Sequence, residues 1–147
     1  MCIRDRLYSC KAKQDLEYPK ESPYTFDFVS ARSIVELSDI ALDNDKLVFI
    51  DVYAQWCMPC KMMDEDVFKD KKLGDFFNEN FISYRADGET NAGADIAELY
   101  KVLGYPTLLF LDSNGQLLVK KTGVAYSREM YDLAEEALAM RNHQEGE

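Results

Sequence analysis

Histidine is nearly absent from this chain. The single one, His143, stands in a polar stretch close to the end of 147 residues. That nearly excludes Ser-His-Asp triads, histidine-ligated zinc and haem, which need imidazole inside the fold. Basic charge is scarce as well. Seventeen Lys and Arg against 27 Asp and Glu give a formal net charge of −10, the wrong sign for non-specific binding to nucleic acid. No apolar run reaches the ~18 residues that read as a membrane helix. Four cysteines are too few for a disulfide scaffold. Internal repeats and low-complexity segments are missing. What remains is a chain that is 47% hydrophobic, the size of one ordinary domain, able to hide roughly 70% of its unfolded surface without covalent staples.

Met1-Cys2-Ile3-Arg4-Asp5-Arg6 reads as the translation of a transposase adapter used in sequencing libraries, and residues 1–6 are expected to be foreign to the natural chain. Leu7-Tyr8-Ser9-Cys10 resembles the end of a bacterial lipoprotein signal, which makes Cys10 a candidate lipidation site. A plain surface thiol in a loose arm is the competing reading. Residues 7–23 are polar, carry Pro19 and Pro23, and read as a tether or the remnant of a signal region. The domain is expected over 24–141, with 142–147 a frayed tail.

Within the domain, Tyr24 to Phe28 alternates aromatic and polar residues, as a short first strand does. Ser30 or Ser33 can cap a helix running to about Leu42. Leu47 to Ala54 is apolar at every position but one, the pattern of a central strand covered on both faces. Helical segments follow from Met62 to Phe68 and from Leu73 to Asn78, then a strand at Phe81 to Ala86. Ile96, Leu99, Tyr100 and Leu103 form a helical stripe ended by Gly104. Thr107 to Leu111 is a strand, Asn114-Gly115 a hairpin turn, and Gln116 to Lys121 returns antiparallel. Ser127 can cap a last helix to about Met140. The order implies an α/β fold, a mixed central sheet with helices on both faces.

Chemistry concentrates at Cys57 and Cys60. Two cysteines with two residues between them can join at the first turn of a helix, where unpaired N–H groups favour an anion and the thiolate is the reactive form. Pro59 suits that turn, and Trp56 is placed to shield the sulfur. Half of a zinc site and a purely structural disulfide are the alternatives. The first lacks further ligands at suitable spacing, and the second would close a very short loop. Asp51 stands inside the apolar strand, six positions before Cys57. A carboxyl there is either a buried acid with a raised pKa, taking the proton of Cys60, or a sheet-edge residue meeting water. Gly104-Tyr105-Pro106-Thr107 puts a proline at the start of a strand. The bond before it can be trans and merely open the strand, or cis, with the Tyr105 backbone beside the cysteines.

Taken together, these stretches resemble the thioredoxin superfamily from about Phe26 to Met140. Asp51-Val52-Tyr53-Ala54-Gln55-Trp56-Cys57-Met58-Pro59-Cys60-Lys61 is similar to its active-site segment, Gly104-Tyr105-Pro106-Thr107 to its cis-proline loop, and Gly123, just after the last strand, to the glycine that flattens its substrate-facing surface. Asp51-x-Tyr53-Ala54-x-Trp56-Cys57-x-x-Cys60-Lys61 with Val67-Phe68-x-Asp70 most resembles the C-terminal periplasmic domain of the DsbD interchange proteins and related stand-alone proteins. The dipeptide Met58-Pro59 departs from the family, so a redox potential does not carry over. The lysine that thioredoxins keep near the aspartate has no sure counterpart, Arg85 being the nearest substitute.

The resemblance implies a thioredoxin fold and a thiol–disulfide oxidoreductase that reduces protein disulfides. Cys57 would be the nucleophile, Cys60 the more buried resolving residue and Asp51 the proton carrier. Trp56, Met58, Pro59, Tyr105 and Pro106 would contact the substrate, with Pro106 also keeping stray metal from the sulfurs. No cofactor or metal is expected beyond the redox-active disulfide. The expected partners are protein disulfides and an upstream dithiol donor, with no nucleic acid, and with membrane contact only through a lipid anchor. A periplasmic monomer is expected, a cytoplasmic one being the alternative. Two other functions compete: a non-catalytic module that binds through the Tyr105-Pro106 groove, and a disulfide oxidase or isomerase of the same fold. The aromatic residues read as core, Met62-Met63 as helix packing, and Asp64-Glu65-Asp66 as a solvated face.

Overall fold

The computed structural model describes residues 22–145. Residues 1–21, with Cys2, Cys10 and most of the expected tether, lie outside the described residues.

Helix α1 (Ile34–Asn44) starts at Ser33, whose hydroxyl accepts the Glu36 N–H at 3.2 Å. It ends where Asp45 turns left-handed at φ 53°. The expected strand at Tyr24–Phe28 shrinks to one parallel bridge, Phe28 to Ser83. Its backbone instead pairs with a corner between helices, Thr25 N–H donating to the Phe68 carbonyl at 2.8 Å. The alternation there comes from aromatic packing, not from a sheet ladder.

Strand β1 (Leu47–Tyr53) is the buried centre of the sheet. Helices α2 (Met58–Asp66) and α3 (Lys71–Asn80) carry the chain over to β2 (Phe81–Asp87), which pairs parallel with β1. Helix α4 (Asn91–Leu99) then leads to β3 (Thr107–Leu111) on the other side of β1. Strand β4 (Leu117–Thr122) and helix α5 (Ser127–Glu145) complete the fold. The sheet order is β2-β1-β3-β4, and both the β1/β3 and the β3/β4 pairs are antiparallel. This is the thioredoxin fold.

Alternation along β1 divides the interior. Leu47 and Phe49 face a layer built by Met63 of α2, Phe77 of α3 and Met130 of α5. Val48, Ile50 and Val52 face Leu37 of α1 and Ile96 of α4. The first layer is aromatic, with Phe26, Phe49, Phe68, Phe77, Phe81 and Phe110 in mutual contact. Each buried ring contributes about 1.5–3 kcal/mol.

Three helix ends differ from the sequence reading. Helix α4 stops at Leu99, not at Gly104, and Leu103 is 95% exposed, outside any stripe. Lys101 turns left-handed at φ 55°, and the Val102 N–H reaches back to the Ala97 carbonyl at 2.8 Å, closing the helix without a glycine. Ser127 does not cap α5 with its side chain. It is the first helical residue, and its hydroxyl donates to Asp70 Oδ2 at 2.7 Å. Helix α5 also runs past Met140, through Glu145, so most of the expected tail is helical.

Candidate redox site

Strand β1 ends at Tyr53, and the chain turns through Ala54-Gln55-Trp56 into α2. The Cys57 N–H donates to the Ala54 carbonyl at 3.1 Å, which fixes that turn. Cys57 occupies the N-cap of α2, and its Sγ accepts the Cys60 N–H at 3.2 Å. Met58 and Pro59 form the first turn, where the missing proline N–H has no partner to lose. The two sulfurs form a disulfide across a Cα–Cα distance of 5.3 Å. Cys57 and Cys60 are 2% and 3% exposed, so the second is not the more buried of the two. They pack with Ala54 against Tyr53 and Tyr105.

The Tyr105–Pro106 peptide is cis. The Pro106 carbonyl accepts the Gly123 N–H at 2.8 Å, and Gly123 has φ +100°, a conformation glycine adopts freely. Thr107 Oγ1 donates to the Gly104 carbonyl at 2.7 Å. The loop is thus tied at both ends, with the Tyr105 ring against the cysteine pair.

Trp56 does not lie over the sulfurs as a closed lid, being 68% exposed. Its indole N–H donates to Glu89 Oε1 at 2.9 Å, and its ring meets Tyr105 edge to face at 5.8 Å. Gly88 lets the loop after β2 approach this pair, since a Cβ there would strike the Tyr105 ring. Met58 is also exposed.

Asp51 is buried in the central strand, not at an edge. It faces the layer of α2, directly opposite Arg85 in the β1/β2 register. Arg85 Nε donates to Asp51 Oδ2 at 3.2 Å, while Asp51 Oδ1 has no hydrogen-bond partner. Burial pushes the Asp51 carboxyl up to about 6; the Arg85 charge opposes that rise, and the Asp64 carboxylate adds to it. Asp64 lies one turn after Cys60 on α2 and pairs with Arg85 Nη2 at 2.9 Å. This corrects the expectation of a solvated face at that position. Its own pKa is raised, mainly by burial.

Sequence reasoning missed Asp64, Glu89 and Tyr24. The i, i+4 spacing from Cys60 could have revealed Asp64. Nothing local marks Glu89 or Tyr24, whose partners Trp56 and Arg85 are distant in sequence. Asp70 of the Val67-Phe68-x-Asp70 stretch acts structurally, capping α3 through the Leu73 N–H at 3.2 Å and receiving the Ser127 hydroxyl from α5. Among the described residues no group of three or more His, Cys, Asp or Glu is placed to hold a metal ion, and no helix is long and apolar enough to cross a membrane.

A cysteine pair at the start of α2, a buried acid in the strand that leads into it and a cis proline before β3, on this sheet, define a thioredoxin-type thiol–disulfide oxidoreductase. The chain belongs to the thioredoxin-like domain family, which it matches over residues 35–138. It is 31% identical over 116 residues to the thiol:disulfide interchange protein DsbD of Salmonella typhi, an alignment that covers 75% of this chain and 20% of that protein. DsbD of Escherichia coli K12 is 31% identical over 93 residues, 61% of this chain and 16% of the relative. The chain therefore spans about a fifth of the length of these curated relatives. A putative disulphide-isomerase from Bacteroides thetaiotaomicron shares 31% identity and a TM-score of 0.69, over 80% of this chain and 97% of that one. Oxidized mitochondrial thioredoxin 3 from Saccharomyces cerevisiae shares 27% identity and a TM-score of 0.59, over 78% and 99%.

Proposed function

We propose that the protein reduces disulfides in other proteins through the Cys57–Cys60 dithiol. The observation that carries this reading is the disulfide at the N-terminus of α2, with the Cys60 amide directed at Cys57 Sγ. Helix amides at that position favour a thiolate on the reduced Cys57.

The Cys57 thiolate attacks one sulfur of a substrate disulfide. A mixed disulfide forms, and the other substrate sulfur leaves as a thiolate that takes up a proton. Cys60 gives its proton to Asp51 and attacks Cys57 Sγ. The second substrate sulfur leaves as a thiolate that takes up a proton from water, Asp51 returns its proton to solvent, and Cys57–Cys60 is left oxidised, as it stands in the structure. Two electrons and two protons pass to the substrate. An upstream dithiol donor restores the reduced pair, so no bound cofactor is needed. Trp56, Met58, Pro59, Tyr105 and Pro106 form the contact surface, the Tyr105–Pro106 backbone pairing with an extended substrate segment. The similarity to DsbD supports a periplasmic location.

Insulin-disulfide turnover tests the reading. Cys57→Ser is expected to abolish it, and Cys60→Ser to stop it while trapping mixed disulfides on Cys57. Turnover unchanged in Cys57→Ser would overturn the reading, and a native chain with no turnover would leave the fold as a binding module.

A further inference from the structure

The Arg85 guanidinium is held by three groups at once. Nε donates to Asp51 Oδ2 at 3.2 Å, Nη2 pairs with Asp64 Oδ1 at 2.9 Å, and Nη1 donates to the Tyr24 hydroxyl at 3.0 Å. The Tyr53 ring covers its carbon at 4.4 Å, and the rings of Tyr24, Phe28 and Phe68 stand at 5.3, 5.8 and 5.8 Å. Two of these three partners are carboxylates of β1 and α2: Asp51 accepts a hydrogen bond, and Asp64 is held as an ion pair. The third belongs to the segment that enters the domain, ahead of α1 and of every strand.

That segment is firmly seated. Thr25 donates its N–H to the Phe68 carbonyl at 2.8 Å and its hydroxyl to the Asp70 carbonyl at 2.7 Å. Asn78 Nδ2 donates to the Thr25 carbonyl at 2.9 Å, and Asn78 Oδ1 accepts the Asp27 N–H at 2.8 Å. A Cβ on Gly74 would collide with the Thr25 side chain, so α3 comes as near as a helix can. The Tyr24 ring meets Phe28 and Phe68 edge to face at 5.7 and 6.4 Å. Its hydroxyl is therefore presented to Arg85 from a fixed backbone.

We propose that Tyr24 is a positioning residue for the proton-transfer step, fixing the outer edge of the Arg85 guanidinium so that Nε stays directed at the buried Asp51. It touches neither cysteine and acts through Arg85. The proposal rests on the reading of Asp51 as the proton acceptor of Cys60.

The geometry gives the direction of the effect. A guanidinium is a rigid planar fork, so its three edges turn together. Asp51 and Asp64 compete for one cation, and Asp64 is both the closer and the more open to water. With Nη1 unpartnered, the fork gains by turning toward Asp64 and solvent. Asp51 then loses counter-charge while staying buried, and its protonated form is favoured. The groups acting on Asp51 are Arg85 from β2 and Asp64 from α2. Cys60 lies one turn before Asp64 on α2, and Tyr53 lies two positions on along β1. Arg85, a hydrogen bond from Tyr24, Glu65 and Lys69 act on Asp64 in turn.

The test is a ¹³C NMR titration of the Asp51 carboxyl in the full chain, beside the pH dependence of mixed-disulfide resolution. Tyr24→Phe keeps the ring and removes only the hydroxyl. It is expected to raise the Asp51 midpoint by about half a unit and to carry the acidic limb of resolution with it, leaving the rate above that limb unchanged. The shift should vanish in an Arg85→Gln background, because the tyrosine acts through the arginine. Thr25→Val loosens the segment that presents the hydroxyl, and should lower the melting temperature and move the Asp51 midpoint in the same direction, by less than Tyr24→Phe does. An Asp51 midpoint unmoved by Tyr24→Phe, or a shift that persists without Arg85, overturns the proposal. The NMR arm needs no turnover, so a chain unable to resolve mixed disulfides would count against the oxidoreductase reading separately.

Discussion

At Asp51 burial and an ion pair pull in opposite directions, and burial wins. The carboxyl moves from 3.8 to about 6 despite an arginine at 3.2 Å. Between those values the folded chain keeps a proton that the unfolded chain has lost. Stability therefore falls as pH rises through that window and levels off above it. The ionised acid costs on the order of 3 kcal/mol at neutral pH. Asp51→Asn is accordingly expected to raise the unfolding free energy by about 1–3 kcal/mol at pH 7 and to leave it nearly unchanged at pH 4, as read by urea denaturation. The same variant should slow mixed-disulfide resolution, so stability and turnover move in opposite directions. An equal gain at both pH values would show that the carboxyl does not titrate in this window. Glu89 offers a second check at this scale. Trp56 is the one tryptophan in the chain, so its fluorescence reports its site alone. Glu89→Ala should shift that emission and raise its mobility by freeing the indole, with only a small loss of stability at so exposed a position. An unchanged anisotropy would mean that Tyr105 alone holds the ring.

Among the elements, α2 could be read in advance and α4 only in part. Proline after the first cysteine, the apolar strand before it and the helical pattern beyond it all agree on a helix start at Cys57. For α4, a stripe that includes Leu99 and Leu103 pointed to a longer helix, yet a left-handed Lys101 ends it early. Nothing in the sequence marks a lysine for that conformation. It is held from outside, by Lys120 Nζ donating to the Tyr100 and Lys101 carbonyls at 3.0 Å each. Contacts across the fold overrode local preference here, as they did where Tyr24–Phe28 packed on helices instead of extending the sheet. The start of α4 is tight in another way. A Cβ on Gly93 would run into the Asp87 carbonyl, and backbone cannot yield as a side chain does. Gly93→Ala is expected to cost about 1–3 kcal/mol by overpacking, measured by thermal or urea unfolding. A neutral result would mean that α4 shifts freely against β2.

Across the whole molecule, the sheet separates an aromatic layer from an aliphatic one, and the redox pair sits where β1 leaves the sheet. The almost unbroken apolar run of β1 made the central strand legible, and the Cys57–Cys60 spacing made the pair legible. The Asp51–Arg85 contact needed the strand register, because Arg85 stands 34 positions away and only parallel pairing of β1 with β2 brings it opposite. Asp64 stayed hidden for a similar reason: an acidic run looks solvated until one member is found turned inward onto Arg85. This overall layout places two carboxylates near the thiols' helix, Asp51 on the strand that leads into it and Asp64 on its own partly buried face. Such surroundings oppose a strongly stabilised thiolate, and weak thiolate stabilisation favours reduction of substrate over oxidation. Equilibration of the Cys57–Cys60 pair against glutathione redox buffers, with the oxidised fraction read by mass spectrometry, measures this directly. A potential at or below about −180 mV, on the reducing side of the isomerases, is expected. A value near −120 mV, in the range of dedicated oxidants, would contradict it.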